Sequence, residues 1–254
     1  MKKNHRFLAV LMSLLTGVSM NVQSAPSARA PAAIVLVHGV LIDGSSWRGV
    51  YDVLTRDGFR VSIVQEPLTG LDDDVAATQR VLDQQDGPVV LVGHSYGGAI
   101  ITVAGSDPKV KALVYVAGLQ PDLGETSGEA APPMKPASDD LRPTKDGYVF
   151  LDATKFAADY CADLPSAQAE FMSRAQMPIL GTAFNTKLSV AAWHDKPSYA
   201  IIATQDRALD PERAKWMAAR AGSKITFIKA SHAVHISQPR AVAHVIEAAA
   251  RAVD

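Results

Sequence analysis

The chain contains a single cysteine, Cys161, in 254 residues, so an intramolecular disulfide is excluded and stability must come from a packed core. Charge of one sign is also missing. Basic and acidic side chains number 25 and 26, for a net charge of -1, and beyond the first few residues no lysine- or arginine-rich tract occurs. The electrostatic footprint of a nucleic-acid binder is therefore absent. There is no internal repeat, no long low-complexity tract, and no apolar run long enough for a membrane span. His232 and His235 have no Glu and no third ligand beside them, which argues against a metal site. These absences leave a chain whose partner is a small molecule, with neither metal nor organic cofactor implied. At 48% apolar residues it can bury one α/β domain, assigned to residues 31–254.

Residues 1–30 differ from the rest. Lys2, Lys3, His5 and Arg6 form a basic start, Phe7 to Met20 is apolar, and small residues follow through Ala30, the three regions of a secretory signal peptide. The expectation is export, to the periplasm or the medium of a bacterium, with no stable membrane anchor after cleavage.

Short β-branched runs recur at Ala33 to Val37, Arg60 to Val64, Pro88 to Val92, Val110 to Val116, Ser198 to Thr204 and Lys224 to Ile228. Such runs suit strands covered on both faces of a parallel sheet. Helical patterns accompany them: Ser46 to Arg56, Asp72 to Gln84 and Pro211 to Ala221, followed by Asp-Gly, Gly-Pro and Gly, and Gln238 to Val253 at the end of the chain. The alternation predicts a doubly wound, mainly parallel α/β sheet. From about residue 122 to 197 it lapses. Prolines at 132, 133, 136 and 143 precede helix-like stretches at Ala153 to Asp163 and Ser166 to Gln176, so this segment is read as an inserted, mostly helical cap. Its Phe150, Phe156, Tyr160, Phe171, Met172, Met177, Phe184 and Trp193 favour an apolar ligand. Cys161, among Phe156, Ala157 and Ala158, reads as packing.

Gly93-His94-Ser95-Tyr96-Gly97-Gly98 follows a strand-like run and opens a helix-like one, the context of a G-x-S-x-G nucleophile elbow. Such a turn lifts a serine hydroxyl out of the sheet. A serine needs an adjacent base, and that base needs a carboxylate. Asp206 and His232 are the first acid and the first histidine after the last two strand-like runs. Asp122 is a rival acid and His235 a rival base, while Asp210, before Pro211, reads as a helix cap. His38 and His94, beside glycines, read as structural. The backbone N–H groups of Tyr96 and of Val40, in the loop after the first strand, are the candidate oxyanion donors. Leu41, Trp193 and His235 are candidates for the substrate pocket.

Together these residues resemble the α/β-hydrolase superfamily from about Ile34 to Val253. More narrowly, His38-Gly39 with Gly44-Ser45-Ser46-Trp47, the elbow, Ala203 to Arg207 and Ser231 to Pro239 resemble bacterial carboxylesterases of the pyrethroid-hydrolysing group, akin to plant methyl esterases and hydroxynitrile lyases. The resemblance implies the α/β-hydrolase fold and a serine carboxylesterase acting on a small-molecule ester, with Ser95, His232 and Asp206 as triad; the alternatives are a lactonase, amidase or C–C hydrolase with the same triad, or a non-catalytic ligand-binding receptor on the same fold. Two departures stand out. The sheet starts at what would be the third strand of longer members, and Gly39 stands where similar hydroxynitrile lyases carry threonine, against cyanohydrin chemistry. Mass spectrometry of the mature chain is expected to find an N-terminus after Ser24 or between Ala25 and Ala30; a protein beginning at Met1 contradicts export with cleavage.

Overall fold

Six of the apolar runs become strands, each alternating between two covered faces. The computed structural model describes residues 32–130 and 140–253. Strands β1 (Ala33–Val37), β2 (Val61–Ile63), β3 (Val89–His94), β4 (Val110–Val116), β8 (Ser198–Ala203) and β9 (Lys224–Ile228) form one sheet in the order β2-β1-β3-β4-β8-β9. Every pairing in it is parallel. In β1, Ala33, Val35 and Val37 join the core on one face, with Leu91 and residues of α2 (Leu71–Asp83), α3 (Gly97–Ala104) and α6 (Pro211–Arg220). Ile34 and Leu36 join the other, with Val90, Val92 and residues of α1 (Arg48–Arg56) and α8 (Pro239–Arg251). A run apolar at every position is thus required, because both faces are dry.

Helix ends follow local chemistry. Asp72, Asp73 and Asp74 occupy the first turn of α2, where negative charge complements the helix dipole. Asp210 caps α6, its carboxylate accepting from the amides of Glu212 and Arg213 at 2.8 and 3.2 Å, ahead of Pro211. The helix expected from Ser46 begins instead as a 3₁₀ turn, Gly44–Trp47, because the Asp43 carboxylate takes the Ser45 amide at 2.7 Å.

Between β4 and β8 the alternation lapses as expected, but the segment is not only helical. Besides α4 (Phe156–Tyr160) and α5 (Ser166–Arg174) it carries a small antiparallel sheet of β5 (Leu141–Pro143), β6 (Tyr148–Leu151) and β7 (Ile179–Leu180). The Asp146-Gly147 turn explains it. Gly147 adopts a φ of 88° and the Thr144 amide donates to the Tyr148 carbonyl at 2.7 Å, closing a hairpin before a run too short for a helix. The expected signal peptide and the prolines at 132, 133 and 136 lie outside the described residues. Among the described residues no helix is long and apolar enough to cross a membrane.

Strand β1 sits between β2 and β3, so the chain winds one way from β1 to β2 and the other way from β3 onward. This is the switch point of the sheet, where ligands collect beyond the carboxyl ends of the strands. Because Leu91 is fully buried in β3, Leu91→Ala is expected to destabilise the fold by about 2–5 kcal/mol in urea unfolding. A loss below about 1 kcal/mol contradicts this account of the core.

Candidate active site

Strand β3 ends in a turn with no room to spare. Ser95 has a φ of 53°, a left-handed conformation that is strained for a residue with a side chain. The turn is tight enough that a Cβ on Gly97 would lie 2.6 Å from the His38 carbonyl oxygen, and one on Gly39 would lie 2.7 Å from the Ser95 Cβ. Glycine is therefore needed at both positions: the loop after β1 rests directly on the elbow. The Ser95 carbonyl accepts from the amides of Gly98 and Leu119, each at 2.9 Å, and holds the strained residue in place. Ser95 is half-buried, open enough to be reached.

Asp206 and His232 meet. Asp206 Oδ2 lies 2.7 Å from His232 Nδ1, both side chains being 2% exposed. The other carboxylate oxygen, Oδ1, accepts from the amides of Ala208 and Leu209, both at 2.8 Å, so the acid is locked by its own turn. Since a carboxylate only accepts, Nδ1 carries the proton and Nε2 is left with its lone pair. His94, next to Ser95, donates from Nε2 to the His232 carbonyl at 3.0 Å, and the two rings lie 4.7 Å apart. The base loop is thereby fastened to the elbow. Tyr160 of α4 meets the His232 ring edge-on at 4.8 Å and donates its hydroxyl to the Val40 carbonyl at 3.1 Å. The backbone N–H groups of Val40 and Tyr96 have no protein acceptor among the described residues.

The rivals go elsewhere. Asp122 bonds the exposed His194 at 2.7 Å. His235, on the short α7 (Val234–Ser237), is fully buried between Trp47 and His94, its ring 4.7 and 4.1 Å from theirs. Of the pocket candidates, Leu41 lines a groove of about 470 Å³ with Ile42, Arg48, Phe171, Met172 and Ile236, between the 3₁₀ turn and α5. Trp193 and His235 do not line this groove, and neither do Ser95 and His232. The Trp193 indole N–H is used up on the Pro121 carbonyl at 2.8 Å, and His235 points behind the base. Cys161 is buried, as packing requires.

A model described as the alpha/beta hydrolase family matches residues 34–245. The chain belongs to the alpha/beta hydrolase family. The chain is 30% identical over 129 residues to Probable hydrolase R7 of Phoma sp., covering 49% of this chain and 52% of that one. It is 30% identical over 103 residues to Methylesterase 8 of Arabidopsis thaliana, covering 35% and 38%. The chain thus spans about half the length of the first of these relatives and less of the second. The solved structure of a pyrethroid hydrolase from Sphingobium faniae superposes with a TM-score of 0.75 at 22% identity, covering 87% of this chain and 98% of that one. That likeness is one of fold.

Sequence reasoning had Tyr160 only as one of several apolar side chains of the segment from 122 to 197, and it missed two other residues near the elbow. Glu66 and Asp74 became visible only through their partners, His38 and the Tyr96 hydroxyl, the latter 3.0 Å from Asp74 Oδ2. Burial pushes the Asp74 carboxyl up to about 6, against the bonds from the Leu68 amide and Tyr96 that lower it.

Burial, reinforced by the nearby His232, lowers His235 to about 3, and burial likewise holds His94 well below its ordinary value. An unfolded chain takes up protons at these two histidines below about pH 6.5 while the folded one does not, so stability falls as pH drops from there toward 3. Asp74 acts oppositely between about 6 and 3.8, where the folded carboxyl is protonated first. Each histidine contributes a slope of up to about 1.4 kcal/mol per pH unit. His235→Leu is expected to flatten the fall of unfolding free energy between pH 6 and 4; an unchanged slope contradicts the buried, neutral His235.

Proposed function

We propose that the protein is a serine carboxylesterase that cleaves small or medium apolar esters through an acyl-enzyme. The observation that carries this reading is the buried 2.7 Å contact between Asp206 Oδ2 and His232 Nδ1, fastened through His94 to a strained serine elbow. Ser95 Oγ attacks the ester carbonyl while His232 Nε2 takes its proton, and Asp206 stabilises the imidazolium. The proton then passes to the leaving alcohol. Water repeats the sequence and frees the acid.

Charge that develops on the carbonyl oxygen is met by the N–H groups of Val40 and Tyr96, whose lack of protein acceptors among the described residues fits an oxyanion hole. Two observations favour an apolar substrate. Half-buried Val40, Leu119, Met177 and Phe184 pack on the same core as Tyr96, and the groove lined by Leu41 and Met172 offers space for a further apolar arm. Membership of the hydrolase family and likeness to a methylesterase agree with ester chemistry.

Turnover of a chromogenic p-nitrophenyl ester is expected to fall by roughly 10⁴-fold or more in Ser95→Ala and His232→Ala, and by about 10³- to 10⁴-fold in Asp206→Asn. A fluorophosphonate probe should give one adduct, on the peptide containing Ser95. Equal turnover by wild type and Ser95→Ala would end this reading.

A further inference from the structure

The chain holds a second buried pairing of a histidine with a carboxylate, on the opposite side of the elbow from Asp206 and His232. His38 and Glu66 are both fully buried, with Nε2 2.5 Å from Oε2. Nothing in the proposed chemistry calls on either of them. Burying such a pair is unfavourable unless geometry repays it, and apolar side chains of similar volume would fill the space at least as well.

What His38 does with its other nitrogen supplies a reason. Nδ1 lies 2.7 Å from the carbonyl oxygen of Gly39, and a carbonyl only accepts, so Nδ1 carries the proton. That carbonyl belongs to the Gly39–Val40 peptide group. No cis peptide occurs among the described residues, and in a planar trans peptide the C=O and N–H point in opposite directions. Holding the carbonyl from behind therefore aims the Val40 N–H forward. This is the N–H with no protein acceptor, one residue after the glycine that rests on Ser95.

We infer that His38 and Glu66 form a positioning pair for the oxyanion hole, in which Glu66 fixes the His38 ring and His38 fixes the Gly39–Val40 peptide so that the Val40 N–H faces the reacting carbonyl. This rests on the esterase reading above. The Glu66 backbone N–H also points at His38 Nε2, at 3.2 Å, so the ring is anchored by two groups of the loop after β2. The Glu66 carboxylate lies against the same nitrogen, with Oε2 at 2.5 Å, so side chain and backbone of one residue together fix the plane of the ring. Burial raises the Glu66 carboxyl, and His38, which burial alone would lower, is raised by Glu66. From the cap side, Tyr160 holds the next carbonyl, that of Val40, and the Leu41 amide donates to the Met177 carbonyl at 3.0 Å. The loop is clamped front and back, which accounts for Leu41 tolerating a φ of 67°.

Two variants separate positioning from packing, both made with Glu66→Gln so that no charge is left unpaired. In His38→Asn the side-chain amide nitrogen takes the place of Nδ1 and keeps the grip on Gly39. In His38→Gln the amide reaches toward Glu66 instead and the grip is lost. With a p-nitrophenyl ester, the Gln variant is expected to lose about 10- to 100-fold in kcat with KM within about threefold, a partial version of losing one oxyanion donor. Its affinity for a trifluoromethyl ketone, which mimics the tetrahedral adduct on serine, should fall in parallel, and the Asn variant should recover most of both. Folded Asn and Gln variants that are equally active, or equally impaired, overturn the inference. Should neither fold, Glu66→Gln alone is expected to lower kcat about threefold to tenfold at constant KM, and an unchanged kcat overturns it. Ser95→Ala in the same assay keeps the two readings apart: if it turns over ester, the esterase reading falls, whereas an inactive Ser95→Ala beside an unimpaired His38→Gln removes only the positioning role.

Discussion

The site depends on β1 and β3 being paired neighbours from which the chain departs in opposite directions. Their parallel register sets Val37 beside Gly93, so the two loops that follow emerge at the same height above the sheet. One carries Gly39 and Val40, the other Ser95 and Tyr96. A side chain on Gly39 or Gly97 would force these loops apart. The buried apolar faces of the strands make this approach rigid, since any widening would open voids in both cores.

Around that fixed point the remaining parts are tied by the short helix α4. Its Tyr160 hydroxyl holds the Val40 carbonyl, the Tyr160 carbonyl accepts from the Ala233 amide at 3.0 Å, and Asp159 pairs with Arg207 at 3.0 Å. The oxyanion loop, the base loop and the acid turn thus all touch one five-residue helix. Single hydrogen bonds contribute only about 0.5–1.5 kcal/mol each, but buried ones are expensive to break, so the helix fixes geometry more than it adds stability.

Electrostatics sort the histidines. His94 and His235 lie behind His232 in a dry setting that keeps them neutral, so no fixed positive charge opposes a proton on His232. His38, by contrast, has a carboxylate beside it that raises it against the effect of burial. On the proposed reading one imidazole is free to cycle, two are kept neutral and one aims a backbone amide, the difference lying in what each finds within about 3 Å.

Much of this was legible in one dimension. Continuous β-branched runs mean strands dry on both faces, glycines two residues either side of Ser95 mean a crowded turn, and Asp206 and His232 each follow a strand, because parallel sheets collect their loops at one edge. The segment from 122 to 197 was poorly legible: its strands are two to four residues long, below the length at which periodicity speaks, and only the Asp146-Gly147 turn announced the hairpin. That Trp193 and His235 stand away from the groove at Leu41 was not legible, because sequence gives a residue's chemistry but not the direction of its side chain. By itself the sequence determined the sheet and the elbow turn, since these follow from local period and turn chemistry, and it singled out Asp206 and His232, which the fold brings to 2.7 Å of each other. Tertiary structure alone decided which side chain meets Tyr160, Glu66 or Asp74, because those partners are distant along the chain and are brought together only by packing in three dimensions.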